Sequence, residues 1–160
     1  METVAAFTLR PVQETDEELL LEIYASTRAD EMALVPWDAA TKNAFLSSQF
    51  SAQRNHYLKY FPHAAHHMIL VDEQAVGRLY VDRSQEKIHI LDATLLPQWR
   101  GQGIGTQILL DLMKEAAYKN QICSIYVESF NRSLGLFQRL GFVKTDESGV
   151  SWLMEWRAAS

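Results

Sequence analysis

Between residues 97 and 105 the chain reads Pro-Gln-Trp-Arg-Gly-Gln-Gly-Ile-Gly, with a strand-like run before it and a long apolar-periodic run after it. This stretch constrains the fold more than any other. Three glycines crowded at a strand-to-helix junction mark backbone that something must approach closely. The N–H groups of the first helical turn have no partners inside the helix, and they suit an anion such as a phosphate. The run lacks the Lys-Ser/Thr of a phosphate-binding P-loop. Its glycines also come too late, and in the wrong order, for a dinucleotide fingerprint. A glycine-rich connection without a ligand is the plainer alternative.

The rest of the chain supplies the frame. Residues 7–11 read as a first strand. Asp16 stands where a helix cap belongs, ahead of a stripe of Leu19, Leu20 and Ile23. Residues 28–36 read as a turn, with Met32, Leu34, Val35 and Trp37 either covering the edge of the core or walling a pocket. Asp38 or Thr41 caps a second helix that runs to about Tyr60 and is stopped by Pro62. Strands are expected over residues 67–71, 76–81 and 87–95, with short links that argue for an antiparallel meander. After the glycines, apolar residues at 104, 108, 109, 112, 113 and 116 form one helical stripe. A strand at 122–127 then completes a parallel crossover. A short helix over 133–140 stops at Gly141. Segments 142–144 and 150–156 form a closing hairpin in which Val150, Trp152, Met154 and Trp156 share one face. The expectation is an α/β fold: a mixed, mostly antiparallel sheet of six or seven strands with helices on both faces, in a single domain spanning residues 1–160.

Arg100, Gly103 and Gly105 fall in the spacing of the acyl-CoA-binding signature of the GCN5-related N-acetyltransferases. Asn131, followed by Leu140, Gly141 and Phe142, fits that family's second signature, an Asn that opens a short helix ending in a Leu-Gly-Phe turn. The chain therefore resembles this family over nearly its whole length, from about Phe7 to Trp156. The resemblance implies a sheet whose fourth and fifth strands, residues 87–96 and 122–127, splay into a V that holds acetyl-CoA. It implies that Gly101, Gln102, Gly103, Ile104 and Gly105 meet the diphosphate, that Leu95 and Leu96 lie along the pantetheine, and that Asn131 hydrogen-bonds to the pantetheine arm. Arg100 either meets a phosphate or hydrogen-bonds to loop carbonyls.

Amine acetylation needs a neutral amine, and so a group that takes its proton. The resemblance points to a carboxylate on the fourth strand. Asp92 is a carboxylate in an otherwise apolar strand, four residues upstream of Leu96, or about 13 Å at strand rise. His89 competes for the role because imidazole titrates near neutrality. The two lie three positions apart, on opposite faces of an ideal strand unless a bulge intervenes. Glu128 is a third candidate. The family's usual acid is a Tyr in the short helix, but position 137 holds Phe137, which has no proton to give and reads as packing in the core or against pantetheine. Tyr126 is the substitute. Trp37, Tyr57, Tyr60, Arg78 and Tyr80 are expected around an aromatic acceptor pocket.

The reading is therefore an enzyme that moves an acetyl group from acetyl-CoA to a primary amine of a small molecule or protein. A catalytically silent acyl-CoA sensor is the alternative, and a structural or nucleotide-binding α/β protein stands behind that. A formal charge of −5 argues against a nucleic-acid partner. No apolar window is long enough to span a membrane, and no basic stretch with a following apolar run opens the chain, so a cytoplasmic setting is expected. One cysteine, Cys123, excludes a disulfide framework. His63, His66 and His67 lack the spacing of a metal motif, and no metal is expected. The apolar face of the last strand has to be buried, and a second copy of the chain is one way to do it, so a homodimer is among the expectations.

Overall fold

The computed structural model describes residues 6–159. Strand β1 (Thr8–Pro11) is followed by helices α1 (Glu17–Thr27), α2 (Ala29–Ala33) and α3 (Ala39–Tyr60). Strands β2 (Ala65–Val71), β3 (Gln74–Arg83) and β4 (Lys87–Leu95) form the meander. Helix α4 (Ile104–Tyr118) leads to β5 (Ile122–Glu128), then come helix α5 (Leu134–Arg139) and the hairpin of β6 (Val143–Ser148) and β7 (Ser151–Trp156). One seven-stranded sheet results, in the order β1-β2-β3-β4-β5-β7-β6. Among the described residues only β4 and β5 run parallel, and α4 crosses between them.

Side-chain alternation sends each strand's apolar residues to two cores. Ile69, Leu79, Val81, Ile88, Ile90, Ile125 and Val127 meet the buried stripe of α4, which is Ile104, Ile108, Leu109, Leu112, Met113 and Ala116 as the sequence pattern requires. Trp152, Met154 and Trp156 pack into this same core, so the chain's own core covers the face of the last strand. Cys123 lies there too, fully buried, and burial pushes its thiol up to about 12. On the opposite face, Leu20, Ile23 and Tyr24 of α1 and Leu46 and Phe50 of α3 close over Met68 and Leu96. Each fully buried aliphatic side chain contributes about 1.5–3 kcal/mol.

Two segments differ from expectation. Residues 28–36 hold the five-residue helix α2 rather than a plain turn, because Ala29 and Glu31 favour helix and the two acids Asp30 and Glu31 sit in the first turn, where they complement the dipole. Strand β6 runs on to Ser148, through the stretch expected to turn, because it keeps pairing with β7 as far as Ser148↔Ser151. The turn is confined to Gly149 and Val150. All six β6 residues are exposed, and Lys144, Asp146 and Glu147 place charge on this outer edge.

One local irregularity shapes the rest. β4 and β5 pair only from Lys87↔Ile122 to Ile90↔Ile125. Beyond that, β4 continues to Leu95 beside β3 alone, and β5 continues to Glu128 beside β7 alone. At the fork the β3–β4 register slips: Val81 pairs with Ile90, but Tyr80 pairs with Asp92. Leu91 is the extra residue of a β-bulge, which bends β4 away from β5. Farther along β4, Gly77 lets the two strands press together, since a Cβ there would run into the backbone oxygen of Thr94. Gly77→Ala is expected to force β3 from β4 and cost about 1–3 kcal/mol, read as a lowered urea midpoint; an unchanged midpoint would show that the strands separate freely.

Candidate active site

The glycine loop forms as the sequence suggests. Pro97–Trp99 makes one 3-10 turn, Gly101 and Gly103 hold φ of 74° and 86°, and Gly103 stands at the N-cap of α4. Among the described residues no side chain caps this helix, and its first backbone bond runs from Gln107 N–H to Gly103 O at 3.0 Å. The N–H groups of Ile104, Gly105 and Thr106 thus face outward at the positive end of a 15-residue helix. A Cβ on Gly101 would meet nothing within 4 Å, and one on Gly105 only a Leu95 methyl at 3.9 Å. That open cradle fits a diphosphate. Arg100 hydrogen-bonds within the protein: Nε donates to Leu95 O at 3.0 Å and Nη2 to Ser26 Oγ at 3.3 Å. Gln102 donates to Gln98 O at 3.1 Å.

The gap between β4 and β5 leads from this cradle. Leu96 N–H donates to Val76 O at 2.8 Å, toward β3, so strand alternation turns the backbone groups of Leu95 and Ala93 toward the gap. The Leu96 side chain is buried in the α1–α3 core, and Leu95 packs on the α4 core. Asn131 accepts from Ser133 N–H at 2.8 Å and Ser133 Oγ at 2.7 Å, so its oxygen organises the entry to α5 while its amide nitrogen stays free of these bonds. Phe137 is 5% exposed and packs edge-on against Phe142 at 5.4 Å, within the core.

The bulge puts His89 and Asp92 on the same face. His89 stacks on Phe61 at 5.9 Å, meets Tyr126 edge-on at 5.7 Å, and shares a 2.8 Å hydrogen bond between Nδ1 and Ser124 Oγ. Burial, then the Lys87 charge, holds its pKa below the usual value, so the ring is neutral at pH 7. Asp92 accepts from Arg78 Nε at 2.6 Å and from Thr94 Oγ1 at 2.6 Å. The Arg78 side chain is 3% exposed and also donates to Gln53 at 2.6 Å. Tyr57, from α3, donates to the bulge carbonyl of Leu91 at 3.0 Å and meets Tyr80 edge-on at 5.1 Å. Burial, then the Asp92 charge, pushes the Tyr57 phenol up to about 12. His66 lies flat on Tyr80 at 4.0 Å, and burial and Arg78 push it down to about 4.

The C-terminal end of α1 crosses the mouth of the gap and touches both lips. Ser26 meets Arg100 on one side. On the other, Arg28 Nη1 meets Glu128 at 3.3 Å and Glu31 at 3.2 Å. Beside it opens a cavity of about 260 Å³ lined by Tyr24, Arg28, Glu31, Met32, Phe45, Leu46 and Gln49. Of the aromatic pocket expected from sequence, Tyr57, Arg78 and Tyr80 gather around Asp92. Trp37 packs on Phe45 at one end of α3, while Tyr60 packs on His56 at the other. The 22-residue helix holds those ends about 33 Å apart, so Trp37 and Tyr60 do not share a pocket. Sequence reasoning missed Tyr24, Ser26, Arg28 and Glu31; the available signal was Arg28, the single basic residue in an acidic stretch.

With the open strand fork and the glycine cradle in view, the comparisons decide the family. Residues 24–152 match the acetyltransferase (GNAT) domain. The chain belongs to the GNAT acetyltransferase family. No curated protein sequence matches it. The PaiA N-acetyltransferase of Thermoplasma acidophilum, solved with coenzyme A, shares 18% identity over 96% of this chain and 99% of its own, with a TM-score of 0.71. An acetyltransferase of Thermus thermophilus shares 17% over 98% and 100%, at 0.69. A GNAT family acetyltransferase of Elizabethkingia anophelis with acetyl-CoA bound shares 18% over 95% and 98%, at 0.60. At these identities the structures speak for the fold.

Asp92→Asn leaves the Arg78 guanidinium buried without its countercharge. A loss of about 3 kcal/mol is expected in urea unfolding, at the low end for a broken buried pair because Gln53 remains; wild-type stability would show that the pair contributes nothing. The unfolded chain binds a proton at His66 below about pH 6.5, while the folded chain resists it down to about 4. Stability from this group is therefore full above pH 6.5 and declines as pH falls toward 4. His66→Phe, which preserves the stack on Tyr80, is expected to flatten that decline; equal slopes in both proteins would contradict it.

Proposed function

We propose that this chain transfers the acetyl group of acetyl-CoA to a primary amine by direct attack within a ternary complex. The observation that carries this reading is the continuity of the strand fork with the uncapped, side-chain-free start of α4. The diphosphate accepts from the N–H groups of Gly103 to Thr106, a charge-assisted arrangement at the helix's positive end. The pantetheine amides pair with the gap-facing backbone groups of Ala93 and with the N–H of Leu95, whose carbonyl already accepts from Arg100. The free amide nitrogen of Asn131 adds a donor on the β5 side.

The acceptor nitrogen attacks the thioester carbon, the C–N bond forms and the C–S bond breaks. Holding the two reactants together accounts for most of the acceleration, because the thioester is already activated. The proton shed by nitrogen goes to the shared face of His89 and Asp92. Asp92, with two of its lone pairs occupied by Arg78 and Thr94, has others left to hold the amine hydrogen. The neutral His89 ring, one residue before the fork, is the base suited to neutral pH. Phe137 offers no proton to the departing sulfur. Tyr126, half exposed and edge-on to His89, supplies a hydroxyl on this face.

Gly105→Val tests the reading. The backbone there is helical and the space is open, so the fold is expected to persist by circular dichroism. The added methyls block the first-turn N–H groups, and acetyl-CoA affinity by calorimetry is expected to fall by about 100-fold or more, as losing two charge-assisted hydrogen bonds implies. Wild-type affinity in the folded variant would remove the cofactor site. Binding of acetyl-CoA with no thiol release on any amine would point to the silent sensor instead.

A further inference from the structure

Helix α3 meets the rest of the protein along one stripe, Leu46, Phe50, Gln53 and Tyr57, and Phe61 extends it at the C-cap. The stripe changes character along its length. Leu46 and Phe50 are buried apolar anchors. Gln53 accepts from Arg78 Nη2 at 2.6 Å, Tyr57 donates to Leu91 O at 3.0 Å, and Phe61 stacks on His89 at 5.9 Å. From Gln53 onward, each side chain of the stripe therefore touches a group at the strand fork. Resting on the acetyltransferase reading above, we propose that Tyr57 is a positioning residue for acetyl transfer, its hydroxyl locking the bulge at Leu91 so that Asp92 stays beside the reacting nitrogen.

Leu91 has no partner on β3, and the β4–β5 pairs end at Ile90. Its carbonyl needs a donor from outside the sheet, and the Tyr57 hydroxyl is that donor. The competing arrangement removes the bulge. A slip of β4 by one residue would let the strand resume its ladder with β5 beyond Ile90. It would carry Asp92 along by about 3.3 Å and turn it to the opposite face. In that register the Leu91 carbonyl would belong to a strand neighbour, so the bond from Tyr57 favours the open fork. Arg78 grips the Asp92 carboxylate, but it cannot by itself hold the backbone that carries it. Tyr57 is suited to the task. Its ring sits edge-on to Tyr80 at 5.1 Å and to Phe61 at 6.5 Å, so packing sets the place of the hydroxyl. With the phenol pushed up to about 12 by burial and then by the Asp92 charge, the O–H keeps its proton across the neutral range.

Tyr57→Phe removes one oxygen and keeps the ring contacts. Thiol release from acetyl-CoA is followed with the fastest acceptor among butylamine, glycinamide and lysine amide, alongside calorimetry of acetyl-CoA binding. In Tyr57→Phe, kcat is expected to fall between about tenfold and about 100-fold, the cost of a misplaced reacting group. KM and Kd for acetyl-CoA are expected to stay within about twofold, because the glycine cradle is untouched. Asp38→Ala is the control for lost stability: it removes the side chain that accepts from Thr41 N–H at the other end of the same helix, and kcat is expected to be unchanged. In an Asp92→Asn background, Tyr57→Phe is expected to add less than about a twofold loss, since the hydroxyl acts through Asp92. Wild-type kcat in Tyr57→Phe would overturn the proposal. So would an equal loss in Asp38→Ala, a rise in Kd that matches the fall in kcat, or full additivity with Asp92→Asn; each of these leaves the acetyltransferase reading standing. Acetyl-CoA binding by the unaltered chain with no thiol release on any of the three amines would overturn that reading, and this proposal with it.

Discussion

The cleft depends on one inserted residue. Without Leu91, β4 would run straight, keep its ladder with β5 and close the sheet. The bulge ends that ladder after four pairs and rotates the remainder of the strand, so that Asp92 joins His89 on the face covered by α1 and α3. A bulge leaves backbone groups without strand partners, and this one is held from above: Tyr57 donates to the Leu91 carbonyl, and Arg78 grips the next residue. The long helix α3 buries only Leu46 and Phe50 as apolar anchors. Its reach down to the fork through Gln53 and Tyr57 is what ties it to the site.

Arg78 and Asp92 form an ion pair beneath the proposed reaction face. A guanidinium 3% exposed is tolerable only with its charge met and its donors occupied. Asp92 and Gln53 do both, and Phe50 and Tyr80 lie against its flat faces at 5.8 and 6.0 Å. The same carboxylate is itself 24% exposed. Under the proposed mechanism, loss of Asp92 would disturb the platform and the chemistry together, which is why a stability measurement has to accompany any rate measurement there.

Much of this was legible in the sequence because periodicity records burial. The α4 stripe, the meander, the parallel crossover and the glycine cradle all follow from spacing and from where glycines fall. The splay does not: apolar residues 88, 90 and 95 read the same whether or not β4 has a neighbour, and the bulge leaves no composition mark at Leu91. The sequence did pose the right question, since only a bulge could bring His89 and Asp92 to one side. The acceptor side was harder to read. Aromatic residues on α3 suggested one pocket, but helix length separates Trp37 from Tyr60, and the cavity combines the N-terminal half of α3 with α1 and α2, where a five-residue helix stood in a segment that looked like a turn. Of the two partners expected for Arg100, the structure shows the loop carbonyl of Leu95.

The burial of Cys123 has a consequence for fidelity. A thioester reacts with any thiolate it meets, and a cysteine on a strand of the fork would be a competing nucleophile if it faced the cleft. At 0% exposure, on the α4 face of β5, its sulfur is shielded from the cleft by the sheet itself. With the thiol pushed up to about 12, the reactive anion is scarce at neutral pH. Under the proposed function, the chain handles an activated acyl group without becoming its own target.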